Sequence, residues 1–128
     1  MAGIMGLAHI GVHVHDLEVS KKFYRDKLGF DIIWTCEVGT SNVAFAQKGN
    51  LVLELIEPAD KKCLNSGVVE HIAMQVKDIE AEAAALRAKG IVFETEEVQG
   101  SDLVFANGAR WINFYGPDGE HLELNEVL

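Results

Sequence analysis

The sequence has 128 residues, of which 48% are hydrophobic and 24% charged, and its formal net charge is −9. A chain of this length forms one domain with a core of its own, and the acidic balance argues against nucleic acid or an anionic membrane surface as a partner. It contains no apolar run of membrane-spanning length and no signal peptide, so we expect a cytoplasmic protein whose Cys36 and Cys63 are reduced thiols.

The first half predicts a β-α-β-β-β module. Residues 7–15 alternate between apolar and polar side chains, as a half-buried strand does. Asp16 is a good N-cap and Gly29 a typical C-terminal stop, so we predict a helix over 17–28. Glycine-containing turns separate three further predicted strands, which are 30–37, 42–47 and 51–56.

The second half repeats this order after a polar linker, 58–68. Residues 69–76 predict a strand, and Asp78 caps a predicted helix over 79–89. The strand candidates that follow are 91–95, 103–106, 110–115 and 121–127. The fold class is therefore α+β, with two tandem βαβββ modules in a single domain, 1–128.

Short stretches at both ends of the modules match each other. Residues 8–18 (AHIGVHVHDLE) correspond to 70–80 (EHIAMQVKDIE), and Leu-Glu-Leu at 53–55 returns at 122–124. The two histidines are offset by 71 − 9 = 62 residues and the two glutamates by 123 − 54 = 69. We therefore interpret 7–57 and 69–127 as two copies of one module, each with one histidine and one glutamate at matching places.

The repeated histidines and glutamates lie on strand faces that point away from the main apolar stripes. Residues two apart in a strand share a face, so His9 lies with His13, and His71 lies with Gln75. If both modules curve their sheets towards each other, these faces line one cup. The four repeated side chains are His9, Glu54, His71 and Glu123.

Two imidazoles and two carboxylates brought together by pseudo-two-fold symmetry would make a mononuclear divalent metal site. Each residue alone is more typical of a solvated strand face, and descent from a duplicated ancestor could also keep the pairs without a metal. Four mixed N/O ligands suit Ni, Co, Zn or Mn and leave two positions of an octahedral ion open for substrate oxygens.

Three stretches resemble one known family, the vicinal oxygen chelate superfamily, also called the glyoxalase/bleomycin-resistance/dioxygenase superfamily. They are 7–30, 69–80 and 113–124, the last reading NFYGPDGEHLEL. The resemblance covers essentially the whole chain and implies paired modules that form a curved-sheet cup around a divalent metal. It also implies a homodimer, because members often pair modules across chains.

The resemblance implies that His9, Glu54, His71 and Glu123 bind the metal, a set similar to that of bacterial glyoxalase I (lactoylglutathione lyase). It favours a lyase or isomerase that converts a hemithioacetal or α-hydroxycarbonyl through a metal-bound enediolate. Glu54 or Glu123 would serve as the base, without an assignment between them. His13 and the matching Gln75 are predicted to contact substrate.

Two departures count against glutathione as the co-substrate. The resemblance to glutathione-using glyoxalase I implies an arginine where this chain has His13 and an asparagine where it has Pro58. Two alternatives therefore stay open. One is a related enzyme, either a dioxygenase or an epimerase of the methylmalonyl-CoA type, in which glutamine usually replaces Glu54. The other is a metal-free protein that binds a small molecule or confers resistance to one.

Overall fold

The computed structural model describes residues 3, 7, 9–60 and 71–128. The chain divides into two compact units, 1–65 and 66–128. In each unit, the described residues form a four-stranded mixed sheet and a helical segment. No helix among them is both long and apolar enough to span a membrane.

The first unit has the predicted β-α-β-β-β order. Its strands are β1 (Ile10–His13), β2 (Asp31–Val38), β3 (Ser41–Lys48) and β4 (Leu51–Glu57). The sheet order is β1-β4-β3-β2, in which β1 runs parallel to β4 and the other pairs are antiparallel. The three later strands lie within one residue of their predicted bounds, whereas the first is shorter than predicted.

The predicted helix of the first unit changes character along its length. It begins as α1 (Leu17–Lys22) and continues as a π-helical segment, Phe23–Lys27. The side chain of Asp16 accepts hydrogen bonds from two backbone N–H groups of the first turn, as an N-cap should. Gly29 follows the helical segment with a φ of 76°, a left-handed conformation that suits glycine.

The second unit repeats the order of elements. They are β5 (Ile72–Gln75), α2 (Ile79–Ala88), β6 (Gln99–Ser101), β7 (Ala109–Tyr115) and β8 (His121–Val127). The sheet order is β5-β8-β7-β6, again with one parallel pair, β5 and β8. The α+β class and the two βαβββ modules are therefore confirmed.

In the second unit, the predictions of strands at 91–95 and 103–106 were wrong. Residues 91–95 contribute an isolated bridge between Phe93 and Phe114 instead of a strand, and Ile91 is tied to the end of α2 by a backbone hydrogen bond to Leu86. Residues 103–106 form no strand either. Because Ser101 of β6 pairs with Ala109 of β7, residues 102–108 form the connection between these two strands. The apolar side chains at 103–106 therefore do not indicate a strand.

Each core forms from one face of its sheet and the apolar stripe of its helical segment. In the first unit the buried residues include Leu53, Leu55 and Tyr24, and Tyr24 meets Phe30 edge to face at 5.5 Å. In the second unit Leu122 and Leu124 are buried, as are the α2 residues Ile79, Ala83 and Leu86. Since neighbouring strand residues face opposite ways, Glu54 and Glu123 fall on the other face of their sheets.

The division into repeats 7–57 and 69–127 around a linker remains a prediction. Residues 61–68 of that linker lie outside the described residues, as do Cys63 and the first two residues of the predicted 69–76 strand. Cys36 is described and is a free thiol on β2.

Candidate metal centre

In the first unit, parallel strand pairing places His9 beside Glu54. Gly11 of β1 is the register partner of Glu54 in β4, and a Cβ on Gly11 would lie 3.8 Å from Glu54 Oε1. His9, two residues before Gly11, reaches the same carboxylate, with its Nε2 3.5 Å from Glu54 Oε1. The His9 ring meets Phe45 edge to face at 5.4 Å, so its orientation is supported by packing.

The second unit builds the matching pair in the same way. Ala73 of β5 is the register partner of Glu123 in β8, and His71 Nε2 lies 3.9 Å from Glu123 Oε1. The exposed fractions of the histidine side chains are 41% for His9 and 42% for His71, whereas those of the carboxylates are 22% and 11%. Each unit thus presents a reachable imidazole beside a largely covered carboxylate.

The donor set of each pair fits a divalent ion. Two ligand atoms that bind one ion at about 2.1 Å lie about 3.0 to 3.4 Å apart at the bond angles of octahedral and tetrahedral ions. The His9–Glu54 pair, at 3.5 Å, is close to that separation, whereas the His71–Glu123 pair, at 3.9 Å, would have to move closer on binding an ion. Within the described residues, no three His, Cys, Asp or Glu side chains gather into a possible metal site. Each unit therefore supplies one pair, and the four-ligand centre stays a prediction.

The predicted substrate residues lie on the same strands as the pairs. His13 is exposed at the end of β1, opposite Ile56 of β4. Gln75 is exposed at the end of β5, opposite Asn125 of β8. Each follows the histidine of its unit by four residues, so the two positions match. The first unit has an imidazole at this place and the second has an amide.

The structure adds two asparagines that the sequence prediction omitted. Asn113 of β7 is the register partner of Glu123, and its Nδ2 donates a hydrogen bond to Glu123 Oε1 at 3.3 Å. Asn125 Nδ2 donates to Glu123 Oε2 at 2.8 Å. The period of two in β8 indicates that Asn125 shares a face with Glu123, but Asn113 reaches it only through the pairing of β7 with β8.

A second histidine packs beside His71. The His121 ring stacks on Tyr115 at 5.0 Å and meets the His71 ring edge to face at 6.1 Å. Its buried Nε2 lies 2.8 Å from Glu94 Oε1, a contact that has the distance of an ion pair but not the geometry of a hydrogen bond. We interpret His121 as a support for the His71 ring rather than as a further ligand.

Comparison with known proteins supports the fold. The family model of the Glyoxalase/Bleomycin resistance protein/Dioxygenase superfamily matches residues 6–124. YwkD of Bacillus subtilis (strain 168), an uncharacterized protein, is 31% identical over 96% of this chain and 98% of its own. Mouse mitochondrial methylmalonyl-CoA epimerase is 31% identical over 73% of this chain, which spans 58% of the epimerase.

Solved structures agree with this assignment. A glyoxalase family protein from Enterococcus faecalis superposes with a TM-score of 0.76 at 26% identity, covering 95% of this chain and 98% of its own. The fosfomycin resistance protein FosX from Listeria monocytogenes, solved with Mn(II) and sulfate, gives 0.71 at 23% identity, covering 98% and 95%. At that identity the FosX likeness establishes the fold.

Proposed function

The chain belongs to the Glyoxalase/Bleomycin resistance protein/Dioxygenase superfamily, and on this premise we propose a divalent-metal-dependent lyase or isomerase of glyoxalase I type. Its substrate would be a hemithioacetal or an α-hydroxycarbonyl. The observation that carries the proposal is the His–Glu pair that recurs in matching strand positions of both units, at 3.5 and 3.9 Å. A largely covered carboxylate beside an exposed imidazole, at matching positions of both units, is the arrangement that a shared metal-binding role would keep.

The proposed ligands are His9, Glu54, His71 and Glu123. When bound, one Ni, Co, Zn or Mn ion would supply positive charge that polarises a substrate oxygen. The largely covered carboxylates suit this role, since a carboxylate out of water interacts more strongly with a cation than one in bulk solvent. The partly exposed rings of His9 and His71 would give an ion access to each pair from solvent.

The chemical step requires a base beside the carbon that loses its proton. Glu54 and Glu123 are the candidates, because a carboxylate close to the polarised carbonyl can take that proton and return it to a neighbouring carbon. His13 and Gln75 would contact the substrate beyond the reacting carbons, since each lies four residues after its histidine and therefore on the same strand face.

A second candidate is an epimerase that acts on an acyl-CoA. The observation in its favour is the similarity to mouse methylmalonyl-CoA epimerase, at 31% identity over 73% of this chain. Both reactions begin with removal of a proton from a carbon next to a carbonyl. They differ in where the proton returns, which is the neighbouring carbon in the isomerase and the opposite face of the same carbon in the epimerase.

One preparation tests both candidates. The purified protein is analysed for metal, then loaded separately with Ni, Co, Zn or Mn. Each form is assayed with methylglyoxal and several thiols, and with methylmalonyl-CoA in deuterated water. We expect stoichiometric metal and turnover of one substrate class. A protein that binds no divalent ion at micromolar concentration would overturn both candidates and favour a small-molecule binding protein. A metal-bound protein that turns over neither class would overturn both candidates and favour another enzyme of the superfamily, such as a dioxygenase.

A further inference from the structure

The two candidate ligand carboxylates have different surroundings. Glu123 receives one amide hydrogen bond on each oxygen, at 3.3 Å from Asn113 to Oε1 and at 2.8 Å from Asn125 to Oε2. A carboxylate held at both oxygens has a fixed orientation, and it still has lone pairs for a cation because each oxygen carries two.

The matching places around Glu54 are apolar. Phe45 of β3 is the register partner of Glu54, as Asn113 is of Glu123. Ile56 follows Glu54 by two residues, as Asn125 follows Glu123. Within the part of the chain that the structure describes, the Glu54 carboxylate makes its polar contact with His9. Neither Phe45 nor Ile56 carries a side-chain donor that could hold the Glu54 carboxylate.

We propose that Asn113 and Asn125 are positioning residues that fix Glu123 as a metal ligand, and that Glu54 keeps the freedom to rotate. This proposal rests on the proposed function, because it assumes a divalent ion at the His–Glu pairs. The two amides are the partners that a ligand carboxylate needs in order to stay aimed at an ion. The carboxylate without such partners can turn between ion and substrate at lower cost.

The lengths of the two hydrogen bonds rank the two asparagines. The bond from Asn125 is the shorter, at 2.8 Å against 3.3 Å for Asn113, so Asn125 should contribute more to the hold on Glu123. Loss of a partner that orients a metal ligand costs about 10- to 100-fold in metal affinity. We therefore expect a fall of at least about tenfold for Asn125→Ala and a smaller fall for Asn113→Ala.

The test measures binding of Zn²⁺ alone, by competition with a chromophoric chelator, on the full chain. Ile56→Ala is the matched control, because it removes a side chain at the corresponding place beside Glu54 without removing a donor. Its affinity should stay close to that of wild type, because no hydrogen-bond partner of a proposed ligand is lost. The melting temperature of each metal-free variant is measured in parallel, so that a loss of affinity is separated from a loss of fold.

Each outcome has a defined meaning. Weaker Zn²⁺ binding by Asn125→Ala with an unchanged metal-free melting temperature supports the proposal, even if neither substrate class is turned over and the proposed function fails. Wild-type affinity in both asparagine variants overturns it and leaves the proposed function standing. A wild-type protein that binds none of Zn²⁺, Ni²⁺, Co²⁺ and Mn²⁺ overturns both. If both asparagine variants fail to fold, their role is structural and the proposal is wrong.

Discussion

His71 Nε2 lies 3.9 Å from Glu123 Oε1, although 52 residues separate them along the chain. The contact exists because β5 runs parallel to β8 and places Ala73 opposite Glu123. The first unit forms the same contact between His9 and Glu54 through β1 and β4. In each unit, the parallel pairing of the first strand with the last strand thus brings one imidazole next to one carboxylate.

Replacement of His71 by alanine should abolish stoichiometric metal binding while the fold is retained. The ring lies on the sheet face opposite the core residues Leu122 and Leu124, and 42% of its side chain is exposed, so little packing is lost. Metal content and circular dichroism measure the two effects. His15→Ala removes another exposed histidine and should leave the metal content unchanged. Full metal occupancy in His71→Ala would refute the ligand assignment.

Glutamine at position 54 or 123 should separate metal binding from proton transfer. A glutamine oxygen can still coordinate, though more weakly, but it is a very poor base at neutral pH. At least one of Glu54→Gln and Glu123→Gln should therefore keep metal and lose on the order of a hundredfold or more in turnover. Turnover and metal content are measured on the same preparations.

Two other results of the glutamine experiment would have clear meanings. An epimerase of the methylmalonyl-CoA type should tolerate Glu54→Gln in particular, since the family resemblance implies glutamine at that place in such enzymes. Near-normal rates with retained metal in both variants would show that neither carboxylate is the base, and the proposed mechanism would be wrong.

We expect a homodimer in solution. Considered alone, the first unit has β2 at one edge of its sheet, and this strand carries Trp34 and Val38 with 66% and 59% of their surfaces exposed. An uncovered edge strand with large apolar side chains favours association. Sedimentation velocity at micromolar concentration should give twice the chain mass of 14.1 kDa. An active monomer under those conditions would contradict this prediction.

Alanine should be tolerated far better at Gly119 than at Gly108. Both glycines have positive φ values, 82° and 92°, so each alanine should cost about 1 to 2 kcal/mol of unfolding free energy through the left-handed conformation. A Cβ at Gly108 would also lie 2.9 Å from the carbonyl oxygen of Ser101, whereas nothing lies within 4 Å at Gly119. Urea unfolding should show the larger loss for Gly108→Ala, and equal losses would contradict the predicted backbone clash.

The sequence alone was sufficient for the features that depend on local periodicity and on the repeat. Alternation of apolar and polar residues placed Glu54 and Glu123 opposite the core leucines of β4 and β8. Asp16 and Asp78 marked the starts of both helical segments, because an N-cap is recognised within one turn. The repeated order of predicted strands and helices, together with the family resemblance, indicated the α+β fold.

Contacts between residues of different strands were decided by the tertiary structure, because they depend on strand pairing and register. Asn113 meets Glu123 only because β7 pairs with β8 in one particular register, and no spacing within β7 encodes that register. The apolar residues 103–106 suggested a strand, yet the pairing of Ser101 with Ala109 confines them to a connection. Local pattern fixes the face on which a side chain lies, whereas its neighbours on that face are chosen by long-range strand pairing.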